Sequence, residues 1–182
     1  EEAVFTIQPA GDSSLLYEGR EKEISPRVFN TPRTGLDISH IETDFYSLDI
    51  ALDGSFENIR LLGWGKEIAG SANRLRVFMD TGDAWDFEDD YREQPEQYMS
   101  LKKTDTRDYG DLVVVEQTYQ FKESELLQTI MFYRHDPCIR LTHHVNWRNT
   151  SYMLRSETIP QTWAPVVYSD IQYGYLGRPT SD

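Results

Sequence analysis

Residues 111–147 read DLVVVEQTYQFKESELLQTIMFYRHDPCIRLTHHVNW, and this stretch decides the fold. Apolar side chains recur at every second position in three consecutive segments, which are separated by Lys122-Glu123-Ser124 and His135-Asp136-Pro137. A period of two is typical of β-strands with one buried face, and an α-helix would repeat every 3.6 residues instead. The sequence therefore predicts three long antiparallel strands joined by tight turns.

The predicted strands differ in how clearly they show a buried face. The middle strand carries Leu127, Thr129, Met131 and Tyr133 on one face and Leu126, Ile130 and Phe132 on the other. The outer strands each show one apolar set: Val113, Val115, Tyr119 and Phe121 on the first, and Ile139, Leu141, His143, Val145 and Trp147 on the third. Neighbouring residues of a strand point to opposite faces, so we expect His143 near the core and His144 exposed. The two histidines therefore cannot clamp one metal ion together.

The same period extends in both directions from this stretch. Tyr46, Leu48, Ile50 and Leu52 are predicted to share a strand face, and Asp53-Gly54 after them is a strong hairpin signal. Further strands are predicted around Leu75, Val77 and Met79, which alternate with Arg74, Arg76 and Phe78, and at Tyr152–Thr158 and Ala164–Ser169. No segment has convincing helical periodicity. The prediction is an all-β antiparallel β-sandwich over residues 40–182, preceded by a connector over 1–39 with a possible short strand at Ala3–Gln8.

Charge and cysteine content restrict the partners and the compartment. The formal net charge is −13, and the segment 80–96 holds eight acidic residues against one base, Arg92. Such a surface repels nucleic acid and anionic lipid, so we expect neither nucleic acid nor a membrane as a partner. Cys138 is the single cysteine, which fits a reducing compartment and a cytoplasmic location.

The acidic segment is the main candidate for chemistry. It follows a predicted strand in RLRVFMDTGDAWDFEDDY, residues 74–91. Carboxylates accept hydrogen bonds from sugar hydroxyls, and the indole of Trp85 could cover the apolar face of a pyranose. Asp80, Asp83 and Asp86 recur every three residues, but spacing alone does not identify a glycosidase acid/base pair. The alternative is structural: aspartates that cap turns, and a Trp that anchors the loop.

Four stretches, taken in order, carry a resemblance to a known family: HIETDFYSLDIALDGSF (His40 to Phe56), SANRLRVFM (Ser71 to Met79), DTGDAWDF (Asp80 to Phe87) and IQYGYLGRPT (Ile171 to Thr180). Together they resemble glycoside hydrolase family 38, the α-mannosidases. The third stretch is similar to the family's D-x-P-x-x-W-D-A-W-D, with Thr81-Gly82 in place of the Pro stretch, and the last is similar to I-Q-F-G-x-x-x-R-P-T.

The resemblance implies a division of labour between parts of a longer enzyme. In this family the nucleophilic Asp, the acid/base group and the ligands of a divalent metal, usually zinc, lie on an N-terminal α/β barrel. We therefore expect this chain to be the β-sandwich of such an enzyme, a galactose-mutarotase-like supersandwich that packs on the barrel. It would carry no catalytic residue and no metal, and it would be inactive by itself. Its glycan partners, which contain mannose, would be bound through the full-length enzyme.

The resemblance also names candidate substrate-binding residues. Asn73 and Arg178 fall in matched motifs and are expected to line the edge of the sugar site. Asp83, Trp85 and Asp86 match the D-A-W-D core and are expected either to contact substrate or to shape the domain interface. Two other functions stay open: a stand-alone carbohydrate-binding module that uses Trp85, and an interaction domain for oligomerisation.

Overall fold

The computed structural model describes residues 32–82, 91–161 and 164–180. Among these residues the only helical element is a 3₁₀ turn, Tyr91–Glu93. The possible strand at Ala3–Gln8 lies outside the described residues. The strands are β1 (Arg33–Thr34), β2 (His40–Glu42), β3 (Tyr46–Ile50), β4 (Phe56–Leu61), β5 (Lys66–Met79), β6 (Gln97–Tyr98), β7 (Ser100–Asp108), β8 (Leu112–Phe121), β9 (Ser124–Tyr133), β10 (Ile139–Asn146), β11 (Tyr152–Pro160), β12 (Val166–Ile171) and β13 (Gly174–Pro179).

The strands form two large antiparallel sheets and one separate hairpin. Sheet A has the order β1-β7-β8-β9-β10, and sheet B has the order β11-β5-β4-β3-β2 with β6 paired to β5. Within the described part of the chain, strands β12 and β13 pair only with each other. This arrangement confirms the prediction of an all-β antiparallel fold. Strand β1 lies within the range predicted as a connector, at the edge of sheet A. No helix in the described part of the chain has the length and apolarity needed to cross a membrane.

The predicted meander is strands β8, β9 and β10. Val115 pairs with Ile130, and Ile130 pairs with Leu141, so one inward row crosses all three strands. Strands β8 and β9 are joined by a short turn in which Lys122 has a φ of +49°. On the middle strand, the face with Leu126, Ile130 and Phe132 is the buried one.

The core lies between the two sheets. Its larger cluster joins residues of sheet B, such as Leu48 and Phe56, to residues of sheet A, such as Ile130 and Phe132. The rings of Phe56 and Phe132 meet edge to face, with centroids 5.8 Å apart. Burial of each of these side chains stabilises the fold by about 1.5–3 kcal/mol. Packing of two apolar sheet faces in this way defines a β-sandwich.

Three details differ from the sequence prediction. Leu52 is fully exposed in the turn before Gly54, so β3 ends at Ile50. On β5, Met79 is exposed. Phe78, which points to the other face of the strand, is buried because it packs on Tyr91. Strand β7 was not predicted, since its sequence SLKKTDTRD holds a single large apolar residue and shows no apolar alternation.

The hairpin β12–β13 differs from the sandwich in its burial. Every residue of both strands is exposed, and the rings of Tyr168 and Tyr175 meet edge to face within the hairpin. Both faces nevertheless carry large apolar groups: Val166, Tyr168 and Tyr175 on one, and Val167, Ile171 and Leu176 on the other. A two-stranded hairpin without a covered face is marginally stable in water. Its composition therefore favours burial against a surface outside the described residues.

The turn at Gly54 provides a test of the packing between the sheets. Its φ is +83°, and a Cβ there would overlap the Tyr119 hydroxyl and lie 2.8 Å from Gln117 Nε2. We predict that Gly54→Ala lowers the free energy of unfolding by about 2–4 kcal/mol, since strain and overpacking add. Urea denaturation of the purified chain measures this loss.

Gly110→Ala is the matched control, because Gly110 has a φ of +87° and open space around its Cβ position. Only the backbone strain remains there, and we expect a loss of about 1 kcal/mol. Equal losses at the two glycines would contradict the close contact between Gly54 and Tyr119.

Candidate functional site

The acidic segment is described only at its two ends. Asp83, Trp85 and Asp86 lie outside the described residues, so their predicted contact with substrate stays a prediction. Asp80 follows β5, and its backbone N–H donates to the carbonyl oxygen of Ser151 at 2.9 Å. Its Oδ1 accepts the N–H of Gly82 at 3.2 Å, which is an Asx-type turn. Asp80 therefore has the structural role that the alternative interpretation gave to the aspartates.

A cluster of aromatic and guanidinium groups lies where the acidic segment ends. Tyr91 packs edge to face on Phe78 at 5.4 Å between centroids. Its hydroxyl accepts hydrogen bonds from Arg92 Nε at 3.0 Å and from Arg155 Nη1 at 2.7 Å. These bonds lower the pKa of Tyr91 because they stabilise the phenolate, and the bond from Arg92 has the larger effect. The cluster thus concentrates positive charge beside the most acidic segment of the chain.

Gln94 attaches the same region to the end of β5. Its Oε1 accepts the N–H of Met79 at 2.7 Å, and its Nε2 donates to the carbonyl oxygen of Met79 at 2.8 Å. Arg76 forms a partly buried ion pair with Glu157 at 3.2 Å and reaches the carbonyl oxygen of Gln94 at 3.4 Å. Both described ends of the acidic segment are therefore attached near the end of β5.

Asn73 lies within sheet B and is 5% exposed. Its φ is +58°, and the pairing of β5 with β11 shifts register at this point, between Glu157 and Ile159. Asn tolerates the left-handed region better than most residues, so it suits a β-bulge. Its Nδ2 has no hydrogen-bond partner among the described residues. The position explains the Asn structurally, and a contact with sugar is a separate proposal.

Arg178 lies on a different element from Asn73. It belongs to β13, where it pairs with Val167, and it is exposed. The two residues taken from the matched motifs thus stand on two different sheets. The structure gives each a defined place but does not show a shared site.

The most tightly connected polar group was not predicted from the sequence. Gln117 and Gln128 face each other across β8 and β9, and both are fully buried between the sheets. Gln128 Nε2 donates to Gln117 Oε1 at 2.9 Å, and Gln117 Nε2 donates to the carbonyl oxygen of Gly54 at 3.3 Å. The second bond links sheet A to the β3–β4 turn of sheet B.

Tyr119 and His143 extend this network at its two ends. The Tyr119 hydroxyl donates to Gln117 Oε1 at 2.9 Å. The pKa of this hydroxyl is raised mainly by burial and to a smaller extent by the charge of Asp53. His143 Nε2 lies 2.6 Å from Gln128 Oε1, and burial lowers the pKa of this imidazole. The neutral ring with its proton on Nε2 satisfies the Gln128 oxygen. Together, the side chains of Gln117, Tyr119, Gln128 and His143 form what we name the interior polar network.

A signal for this network is present in the sequence. Gln117 occupies an inward position between Val115 and Tyr119, and Gln128 occupies one between Leu126 and Ile130. A polar side chain at an inward position of a period-two pattern needs a buried partner. The partner itself depends on the register between strands, which the pattern of one strand does not determine.

The described residues provide no metal centre. Over 32–82, 91–161 and 164–180, no group of three or more His, Cys, Asp or Glu side chains is placed to hold a metal ion. His143 and His144 point to opposite faces of β10, as expected, and only His143 joins the network.

The fold and these contacts define a class of protein: a β-sandwich domain with a buried polar network that bonds one sheet to a turn of the other. Residues 41–182 match the family described as glycosyl hydrolases family 38 C-terminal domain. The chain therefore belongs to this family, and its resemblance to family 38 is confirmed. A comparison with curated proteins gives no match.

The buried His143 predicts how stability depends on pH. An unfolded His has a pKa of about 6.5, and the pKa in the folded protein is lower. The unfolded chain thus binds more protons, so the free energy of unfolding falls as pH drops through about 6.5. The loss stops below the pKa of the folded state. Urea midpoints across this pH range measure it.

His143→Gln is the control, since the Gln amide can donate to Gln128 without titrating. The wild-type chain should lose more stability on acidification than this variant. The other three histidines, His40, His135 and His144, are present in both proteins and cancel in the comparison. An equal loss in both proteins would show that His143 titrates normally in the folded state.

Proposed function

We propose that this chain is a non-catalytic β-sandwich domain of an α-mannosidase-like glycoside hydrolase. The observation that carries the proposal is the family match over residues 41–182, together with a sandwich interior closed by packed side chains. In the proposed enzyme the nucleophile, the acid/base group and a divalent metal, zinc, belong to a separate barrel. That enzyme hydrolyses α-mannosides in glycans with retention of configuration.

The exposed hairpin supports packing of the domain on the catalytic barrel. Its apolar groups include Tyr168, Tyr175 and Leu176, and the exposed Arg178 lies on the same face as Leu176. Segment 164–180 carries one acid, Asp170, and one base, Arg178, so it has no net charge in a chain of −13. A neutral apolar surface is suited to burial against another domain. We further propose a cytoplasmic enzyme, with the free Cys138 in support.

Activity measurements test the division of labour. We predict that the purified chain does not cleave an aryl α-mannoside, with or without added zinc. The reason is that glycoside hydrolysis needs two carboxyl groups at a set separation across the bond, and the proposal places them on the barrel. Release of the aryl group is followed spectroscopically at high protein concentration.

Asp83→Asn and Asp86→Asn make this test decisive. Turnover by the wild-type chain that either substitution abolishes would overturn the proposal and favour a self-contained glycosidase. Turnover that both variants retain identifies a contaminating enzyme. Glu123→Gln, in the β8–β9 turn, serves as a charge-matched control on an exposed residue.

A further inference from the structure

Two adjacent turns at one end of sheet B display large apolar side chains. The turn between β2 and β3 carries Phe45, which is 41% exposed. The turn between β4 and β5 carries Leu62 and Trp64, which are 44% and 59% exposed. The Leu62 N–H donates to the carbonyl oxygen of Phe45 at 2.9 Å, so the two turns are in contact. We name Phe45, Leu62 and Trp64 the turn patch.

Hydrogen bonds hold both turns in place. Thr43 is buried, and its Oγ1 accepts the N–H groups of Phe45 at 3.2 Å and of Tyr46 at 3.1 Å. On the other turn, the N–H groups of Trp64 and Gly65 both donate to the carbonyl oxygen of Leu61, at 3.2 and 2.9 Å. An aromatic group on an ordered turn loses little conformational entropy when it binds a ligand.

The chain neighbours of Trp64 on both sides are glycines with open space at their Cβ positions. A Cβ at Gly63 or at Gly65 would meet no atom within 4 Å. The two glycines add no side chain beside Trp64, and with 59% of its surface exposed its ring is accessible to a ligand.

Carboxylates stand beside the turn patch. Asp44 precedes Phe45, and its Oδ2 lies 2.6 Å from His135 Nδ1. His135 Nε2 lies 3.6 Å from Asp111 Oδ1, so the imidazole stands between two carboxylates. The Asp44 N–H donates to the carbonyl oxygen of Arg134 at 3.0 Å, which fixes this group to sheet A. Both carboxylates are more than half exposed, so each has oxygen lone pairs available to hydroxyl groups.

We propose that the turn patch binds a hexopyranose residue of a glycan. The apolar face of the sugar ring lies on Trp64 and Phe45, and a hydroxyl group donates to Asp44. An apolar protein surface is a poorer occupant, since it would remove the carboxylates from water without offering donors. A neutral sugar is not repelled by the net charge of −13. The choice of a sugar rests on the proposed function.

Sugar titrations of the purified chain test the site. The probes are methyl α-mannopyranoside, methyl α-glucopyranoside and methyl β-galactopyranoside. The readout is the NMR signal of the Trp64 indole N–H, assigned by its absence in Trp64→Ala. We expect methyl α-mannopyranoside to shift this signal, with a dissociation constant on the order of 1–10 mM. Binding should weaken about tenfold or more in Phe45→Ala and in Trp64→Ala, the latter followed by saturation transfer to the sugar.

Tyr173→Ala is the matched control, because Tyr173 is a fully exposed aromatic residue on the hairpin turn. It should bind as the wild-type chain does. Circular dichroism shows that each variant is folded. The site is overturned if no sugar shifts the indole signal at about 50 mM, or if Trp85→Ala abolishes binding while Trp64→Ala does not. Binding of the glucoside or galactoside without the mannoside supports the turn patch and counts against mannose as the proposed substrate.

Discussion

The hydrogen bonds of the buried Gln117 and Gln128 side chains are the constraint that fixes how the two sheets pack on each other. Each amide is fully excluded from water, so each must find its partners inside the protein. A buried group left without a partner costs about 1–3 kcal/mol. Gln117 bonds the carbonyl oxygen of Gly54 on the opposite sheet, which it can do only when sheets A and B are correctly packed. The network therefore favours one register between the sheets, while the apolar contacts around it supply most of the stabilisation.

The hairpin β12–β13 has no comparable constraint. Its polar backbone groups are paired within the hairpin, but its tyrosines and aliphatic residues are exposed on both faces. The chain thus contains a sandwich with a closed interior and an attached element whose burial depends on another surface. This asymmetry is what the proposed role as a supporting domain of a larger glycoside hydrolase requires. In that proposal the chemistry belongs to the partner domain, and the sandwich contributes position, together with the sugar contact proposed at Trp64.

Sequence periodicity predicted most of the sandwich, because strands β8, β9 and β10 alternate strongly and Asp53-Gly54 marks a tight turn. It did not predict β7, whose residues are almost all polar and whose place depends on pairing with β8. Asn73 was selected from a matched motif, and the structure adds that it occupies a buried β-bulge. The interior polar network was missed for a physical reason: cross-strand partners such as Gln117 and Gln128 follow from register, which period-two patterns leave undetermined.

Hydrogen exchange of backbone amides in the purified chain distinguishes the closed sandwich from the uncovered hairpin in one measurement. Amides of β8 and β9 should exchange only through global unfolding, since their strands carry the buried network. Amides of β12 and β13 should exchange at least about a hundredfold faster, because local opening of the hairpin exposes little additional apolar surface. Protection of the hairpin equal to that of β8 and β9 would contradict the division between a self-sufficient sandwich and an element that needs a partner surface.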